Sequence, residues 1–215
     1  MKKNWKQHQV VLLSLALSVI LVTTRMIFTG TMGYIFLIWN LFLAWIPYFM
    51  SILLRYNNSD SKFIHYGLII SWLIFFPNAP YIITDLYHLK LRPPVPLWYD
   101  TVLLFWCAWI GFSLGFLSLW NVEHYLRNKL KGKWVNIVIS LFIVLGAFGI
   151  YAGRYLRWNS WYVVTNPGDI AKDVKFIVLN PEDNLRTWGV TLIFSILMLA
   201  CYFMIKKMKQ AMIES

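Results

Sequence analysis

The stretch from Phe63 to Phe76, FIHYGLIISWLIFF, runs directly into Pro77-Asn78-Ala79-Pro80. Its 14 residues are mostly apolar, which predicts a helix that enters a lipid bilayer. At 1.5 Å per residue this helix rises about 21 Å, which is short of a hydrocarbon core of about 30 Å. Because proline lacks an N–H and disfavours a helical residue before it, we expect the backbone to break while still at membrane depth.

Irregular backbone at that depth is stable only where protein or water covers it. We therefore predict that Asn78 faces a protein interior or a water-filled cavity, where its amide can accept from an N–H and donate to a C=O. This makes Asn78 a candidate ligand-binding residue. The alternative is a helix that simply ends at the interface, with Asn78 capping the next helix.

The composition of the whole chain indicates a membrane protein. Of 215 residues, 59% are hydrophobic and only 13% are charged, and the mean hydropathy is +0.58. Both cysteines, Cys107 and Cys201, fall inside apolar runs, so the sequence shows no disulfide scaffold. We predict an all-α bundle that forms a single transmembrane domain over residues 1–215. Its six helical spans are expected at about 10–28, 33–54, 63–76, 98–120, 134–153 and 188–205.

The distribution of cations predicts the orientation, because loops rich in Lys and Arg stay in the cytoplasm. With both termini cytoplasmic, twelve of the twenty cations lie on the cytoplasmic side. The net charge of +11 then reflects topology and attraction to anionic headgroups. Nucleic-acid binding is not expected, because the cations are not gathered on one folded basic face.

The first candidate pair of functional residues follows the proline break. Asp85 and His88 are three residues apart in a predicted short helix and so share one face. A carboxylate beside an imidazole suits proton transfer, so we assign both residues a catalytic role as a hypothesis. One Asp and one His cannot complete a zinc site, and no metal site is predicted. The alternative is a pair that hydrogen-bonds loop backbone at the interface.

A second candidate lies where the fifth span ends, in Gly153-Arg154-Tyr155-Leu156-Arg157-Trp158-Asn159. Arg154 and Arg157 share a face if the helix continues, and two guanidiniums suit a phosphate or carboxylate. With Asn159, they are the predicted ligand-binding residues of this turn. The alternatives are membrane anchoring beside tryptophan and pairing with Asp85.

Spans three and five are both expected to end on the outer side, so these two groups could meet across one outer cavity. Arg25 and Asp100 could join the same cluster, although Arg25 could also reach the headgroups by itself. Gly111-x-x-x-Gly115 predicts close packing of the fourth span, which we assign to contact with the fifth.

The last outer loop contains a predicted amphipathic helix. Ile170, Val174, Ile177 and Val178 form one apolar stripe at helical spacing. We expect this helix to lie on the membrane surface as a lid over the cavity. A short strand over residues 175–179 is the alternative.

The stretches 76–89 and 153–161 resemble those of a family of bacterial predicted integral membrane proteins, domain of unknown function 1361. The resemblance covers the second to the sixth span. It implies a multi-pass protein of the bacterial cytoplasmic membrane and supplies no reaction, cofactor or catalytic residue. In the family pattern an acid follows the second tryptophan, where this chain has Tyr162.

The sequence therefore predicts an outward-facing polar cavity that binds an anionic lipid-linked or envelope ligand. No P-loop, G-x-S-x-G or H-E-x-x-H motif is present, so the sequence indicates neither a cofactor nor a reaction. One alternative is a small transporter or channel, which needs polar residues in the cytoplasmic half; the candidates are His65, Asn40 and Asn121. The other alternative is a structural or partner-binding subunit.

Overall fold

The computed structural model describes residues 2–57 and 61–214, with only the backbone of residues 2–4, 213 and 214. The protein is 86% helical, and the part described contains no strand. The α-helices are α1 (Lys2–Thr29), α2 (Ile35–Tyr56), α3 (Lys62–Phe75), α4 (Asn78–Tyr81), α5 (Leu97–Arg127), α6 (Gly132–Tyr151), α7 (Tyr162–Thr165), α8 (Pro167–Leu179) and α9 (Leu185–Glu214).

Six segments are long and apolar enough to cross a membrane. They are Trp5–Thr29, Ile35–Tyr56, Lys62–His88, Leu97–Arg127, Gly132–Leu156 and Glu182–Met212. The predicted all-α fold with about six spans is therefore confirmed, and the chain is a multi-pass membrane protein. Many large apolar side chains are exposed along these segments, as expected for helices whose outer faces contact lipid rather than water.

The third span is interrupted, as the prolines predicted. α3 ends at Phe75, one turn of α-helix follows as α4, and a 3₁₀ helix runs from Ile82 to His88. A 3₁₀ helix of seven residues is unusually long, since such runs rarely exceed four residues. The interrupted span therefore carries its polar residues on irregular backbone.

The chain divides into two compact units, Met1–Ser118 and Leu119–Ser215. In the first unit, side chains of α1, α2, the interrupted span and the first part of α5 form one apolar core. In the second unit, α6 packs against α9, with Ile143 of α6 and Met198 of α9 both buried. That the 215 residues act as a single domain stays a prediction.

Within the first unit, the two glycines of α5 lie against the interrupted span. A Cβ on Gly111 would lie 2.8 Å from the carbonyl oxygen of Ala79, so only glycine fits there. A Cβ on Gly115 would lie 3.4 Å from the Cβ of Ala79. The prediction that these glycines face the fifth span was wrong: the small side chain of Ala79 lets the broken helix approach them instead.

The loop helix α8 forms as a helix rather than a strand. Ile177 is buried and Val174 is half-buried, whereas Asp169 and Lys172 form an exposed ion pair at 3.2 Å. Val178, which was predicted to belong to the apolar stripe, is 56% exposed, and Phe176 is 55% exposed. The helix thus presents apolar side chains on its surface, which suits contact with lipid.

Candidate functional site

The side chain of Asn78 forms a hydrogen bond with the backbone at the helix break. The N–H of Ala79 donates to the carbonyl of Phe76 at 3.2 Å, and so the carbonyl of Phe75 loses its α-helical donor. The side-chain amide of Asn78 donates to that carbonyl at 2.9 Å. The contact predicted for Asn78 with a carbonyl at the break is present, and its role in ligand binding stays a prediction.

Asp85 lies in the interior of the first unit, with 1% of its surface exposed. A buried carboxylate needs hydrogen bonds to offset its lost hydration. Asn40 of α2 supplies one, from Nδ2 to Oδ2 at 2.7 Å. Asn40 therefore contacts the buried acid of the interrupted span, and its role in a path through the membrane stays a prediction.

His88 ends the same 3₁₀ helix. Residues three apart are eclipsed in a 3₁₀ helix, so Asp85 and His88 share a face, as the spacing predicted. The His88 ring is half-buried and lies 5.0 Å from the ring of Phe36, measured between centroids. The two side chains thus start from one face of the same helix, and the catalytic role assigned to them stays a prediction.

Arg25 and Asp100 form a buried ion pair. Nε of Arg25 donates to Oδ1 at 2.7 Å and Nη2 donates to Oδ2 at 3.0 Å, and neither residue is more than 3% exposed. The two-pronged geometry is the strongest that a guanidinium and a carboxylate can form. The sequence predicted that both residues lie near one end of the spans, and the pair joins α1 to α5 there.

The aromatic partner of this pair was missed from the sequence. The guanidinium carbon of Arg25 lies 4.1 Å from the centroid of the Tyr34 ring, and that of Arg92 lies 5.1 Å from the same centroid. Tyr34 is fully buried. No spacing rule connects these three residues, because they come from three separate segments.

The Arg154–Asn159 turn, in the second unit, has unusual backbone. α6 passes into a π-helix over Ala152–Leu156, and Arg157 then adopts a left-handed conformation with φ of 57°. The N–H groups of Arg157 and Trp158 both point to the carbonyl of Ala152, the latter at 3.1 Å. A residue other than glycine in this conformation costs about 1–2 kcal/mol.

The side chains of this turn differ in exposure. Arg157 is exposed, and Arg154 and Asn159 are half-buried. Within the part of the chain that the structure describes, the Arg157 guanidinium has no hydrogen-bond or ion-pair partner. The three predicted ligand-binding residues of the turn are thus on one short segment, with a guanidinium open to the surroundings.

Two buried hydroxyls lie on α9, the helix that packs against α6. Thr187 is 1% exposed and Thr191 is 6% exposed, and neither Oγ1 has a hydrogen-bond partner among the described residues. The neighbouring Arg186 places its guanidinium 4.1 Å from the centroid of the Tyr155 ring. The Arg186 contact places this start of α9 beside the turn.

A buried network that the sequence reasoning missed centres on Glu123 of α5. Its carboxylate accepts from Lys206 at 2.6 Å, from Arg127 at 2.6 Å and from the Tyr202 hydroxyl. Lys206 also donates to Asn136 at 2.9 Å. An acid and a cation inside apolar spans are a signal that could have found it. The network ties together the three long helices of this unit.

Among residues 2–57 and 61–214, no three His, Cys, Asp or Glu side chains are placed to hold a metal ion. The Asp85 and His88 pair lies in the first unit, whereas Arg154, Arg157 and Asn159 lie in the second. That the two groups meet stays a prediction from the sequence.

Helix length, apolar surface and buried charge define a multi-pass membrane protein. The sequence profile described as Protein of unknown function (DUF1361) matches residues 39–201, and the chain belongs to that family. No curated protein and no solved structure matches the chain. The side chains of this protein are therefore the evidence for what it binds.

Proposed function

We propose that this protein binds an anionic, phosphate-bearing ligand, lipid-linked or associated with the cell envelope, through Arg154, Arg157 and Asn159. The observation that carries this proposal is the backbone of the Arg154–Asn159 turn. A π-helix closes the fifth span, and π-helical turns are frequent at functional positions; the left-handed backbone that follows is rare for a residue other than glycine.

The chemistry of the turn supports an anion as the ligand. The guanidinium of Arg157 presents a planar fork of N–H donors, which matches the oxygens of a phosphate. The hydroxyls of Thr187 and Thr191 can donate to further oxygens, and burial without a partner makes such donors costly to leave unused. Trp161 is 39% exposed and suits the headgroup region of a bilayer.

His88, oriented by Asp85, is proposed to hydrogen-bond the ligand or move a proton on it, with Asn78 as a further polar contact. The support is that Asp85 and His88 share a face of the 3₁₀ helix and that Asp85 is buried. This second part of the proposal depends on the predicted topology, in which spans three and five end on the same side.

We further propose that the protein resides in a bacterial cytoplasmic membrane with both termini in the cytoplasm. The bias of Lys and Arg toward the corresponding loops supports this orientation. A cysteine placed at Lys129 should then react with a membrane-impermeant maleimide only after the cells are opened, and one placed at Asn166 should react in intact cells. The reverse pattern would contradict the orientation.

The binding proposal is tested by identifying the lipids that copurify with the full chain in mild detergent. The double variant Arg154→Gln/Arg157→Gln should lose most of the bound anionic lipid relative to the unaltered protein. The matched control Lys129→Gln/Lys133→Gln removes the same charge from exposed positions elsewhere and should retain it. Equal lipid content in all three proteins would overturn the proposal.

The catalytic part needs a separate readout. Cells that carry His88→Ala should accumulate a lipid or envelope precursor that cells with the unaltered protein consume. If precursor profiles are identical at equal protein levels, His88 has no catalytic role, and the binding proposal for the arginine turn is unaffected.

A further inference from the structure

We propose a second anion-binding site, in the first unit, at a recess above Gly33 that is lined by Arg25, Arg92 and Thr31. A Cβ built on Gly33 would lie 3.7 Å from Nη1 of Arg92, 3.8 Å from Nη1 of Arg25 and 3.8 Å from Oγ1 of Thr31. Two guanidinium nitrogens and a hydroxyl therefore converge on the point that a side-chain Cβ would occupy.

The nitrogen atoms of the Arg25 guanidinium have different surroundings. Asp100 occupies Nε and Nη2, and Nη1 remains directed toward Gly33. Because Arg25 is 3% exposed and held at two atoms, its Nη1 is fixed in position before any ligand arrives. Such a preorganised donor binds an oxyanion without the entropy cost of ordering a flexible arginine.

The charge of this cluster favours an anion. Asp100 balances one of the two guanidiniums, and no described carboxylate forms an ion pair with Arg92. Desolvation raises the pKa of the hydroxyl of Tyr34, whose ring packs against both guanidiniums, so the phenol stays neutral at ordinary pH. The cluster thus retains one positive charge beside an exposed glycine.

Three donor atoms within 4 Å of one point suit a single phosphate or a similar oxyanion. Such a group is found both in free inorganic phosphate and in a phospholipid headgroup. The site shares no residue with the Arg154–Asn159 turn, so this proposal does not depend on the proposed function.

The test is calorimetric titration of the purified full chain, in zwitterionic detergent, with inorganic phosphate and with short-chain phosphatidylglycerol. Gly33→Ala places a methyl group in the recess at ordinary contact distances, so it should fold normally and weaken binding at least tenfold. Arg92→Gln should weaken binding by a similar factor. Gly67→Ala, at a glycine with open space around it, and Arg55→Gln are the matched controls and should bind within twofold of the unaltered protein.

The two probes separate the sources: binding of phosphatidylglycerol alone assigns a lipid headgroup, and binding of inorganic phosphate assigns a free anion. Arg154→Gln/Arg157→Gln, measured in parallel, separates this recess from the turn. Binding that survives Gly33→Ala and Arg92→Gln but not the double variant would overturn the proposal, as would the absence of binding to both probes. Thermal unfolding without ligand confirms that Gly33→Ala is folded.

Discussion

Arg25 and Arg157 show two ways in which a membrane protein can hold a guanidinium. Arg25 is buried, bonded to Asp100 by two hydrogen bonds and packed on an aromatic ring. Arg157 is exposed and lies on backbone that disfavours every residue except glycine. The first arginine is required by the fold. Arg157 lowers the stability of the fold through its left-handed backbone, and we therefore assign it to function.

The difference has a magnitude that experiments can resolve. Removing one partner of a buried ion pair costs about 3–5 kcal/mol, because the other charge is left in a medium that solvates it poorly. Replacing a left-handed arginine by glycine should release about 1 kcal/mol. The two arginines should thus respond to mutation with opposite signs.

The largest expected effect is that of Asp100→Asn. The variant keeps the shape of the side chain but leaves Arg25 charged and buried, so the free energy of unfolding should fall by about 3–5 kcal/mol. Denaturant unfolding in mixed micelles measures it. Asp169→Asn, which breaks an exposed ion pair, should change stability by less than about 1 kcal/mol. Equal effects would mean that the buried pair does not hold α1 to α5.

Gly111→Ala should produce the next largest loss. Its new methyl group would meet the carbonyl oxygen of Ala79 at 2.8 Å, so α5 and the interrupted span must separate at a cost of about 1–3 kcal/mol. Gly115→Ala is the control, because its closest contact is 3.4 Å. Thermal unfolding distinguishes the two variants, and an unchanged Gly111→Ala would show that the helices are not in close contact there.

Tyr202→Phe should have a smaller effect in the second unit. The ring is retained, but Glu123 loses one of its donors while Lys206 and Arg127 remain, which should cost about 1.5 kcal/mol. Tyr151→Phe alters a buried tyrosine outside this network and should stay within about 0.5 kcal/mol. If the two variants unfold alike, the Glu123 network does not stabilise the unit.

Local features of the fold could be predicted from the sequence. The apolar runs predicted the six spans, and the two prolines predicted the interruption after Phe75. Hydropathy and proline both act on the backbone within a few residues. Arg25 and Asp100 could be placed near the same end for a similar reason: each lies close to the end of its own span.

The partners of the polar residues could not be predicted. Asn40 and Asp85 are 45 residues apart in sequence, and Glu123 and Tyr202 are 79 apart. Whether such residues meet depends on the rotation and axial register of two helices, which packing of whole faces sets. The π-helix over Ala152–Leu156 was missed because its residues are equally compatible with an ordinary helix end.

The smallest stability change, and the most direct test of the central claim, comes from Arg157→Gly. Stability and binding of phosphatidylglycerol should be measured on the same purified samples, with Arg157→Lys as a variant that keeps the charge. We expect Arg157→Gly to gain about 1 kcal/mol in stability while its affinity falls at least tenfold, and Arg157→Lys to lose less affinity. A glycine variant that is more stable and binds the lipid as tightly as the unaltered protein would contradict the assignment of this turn to an anionic ligand.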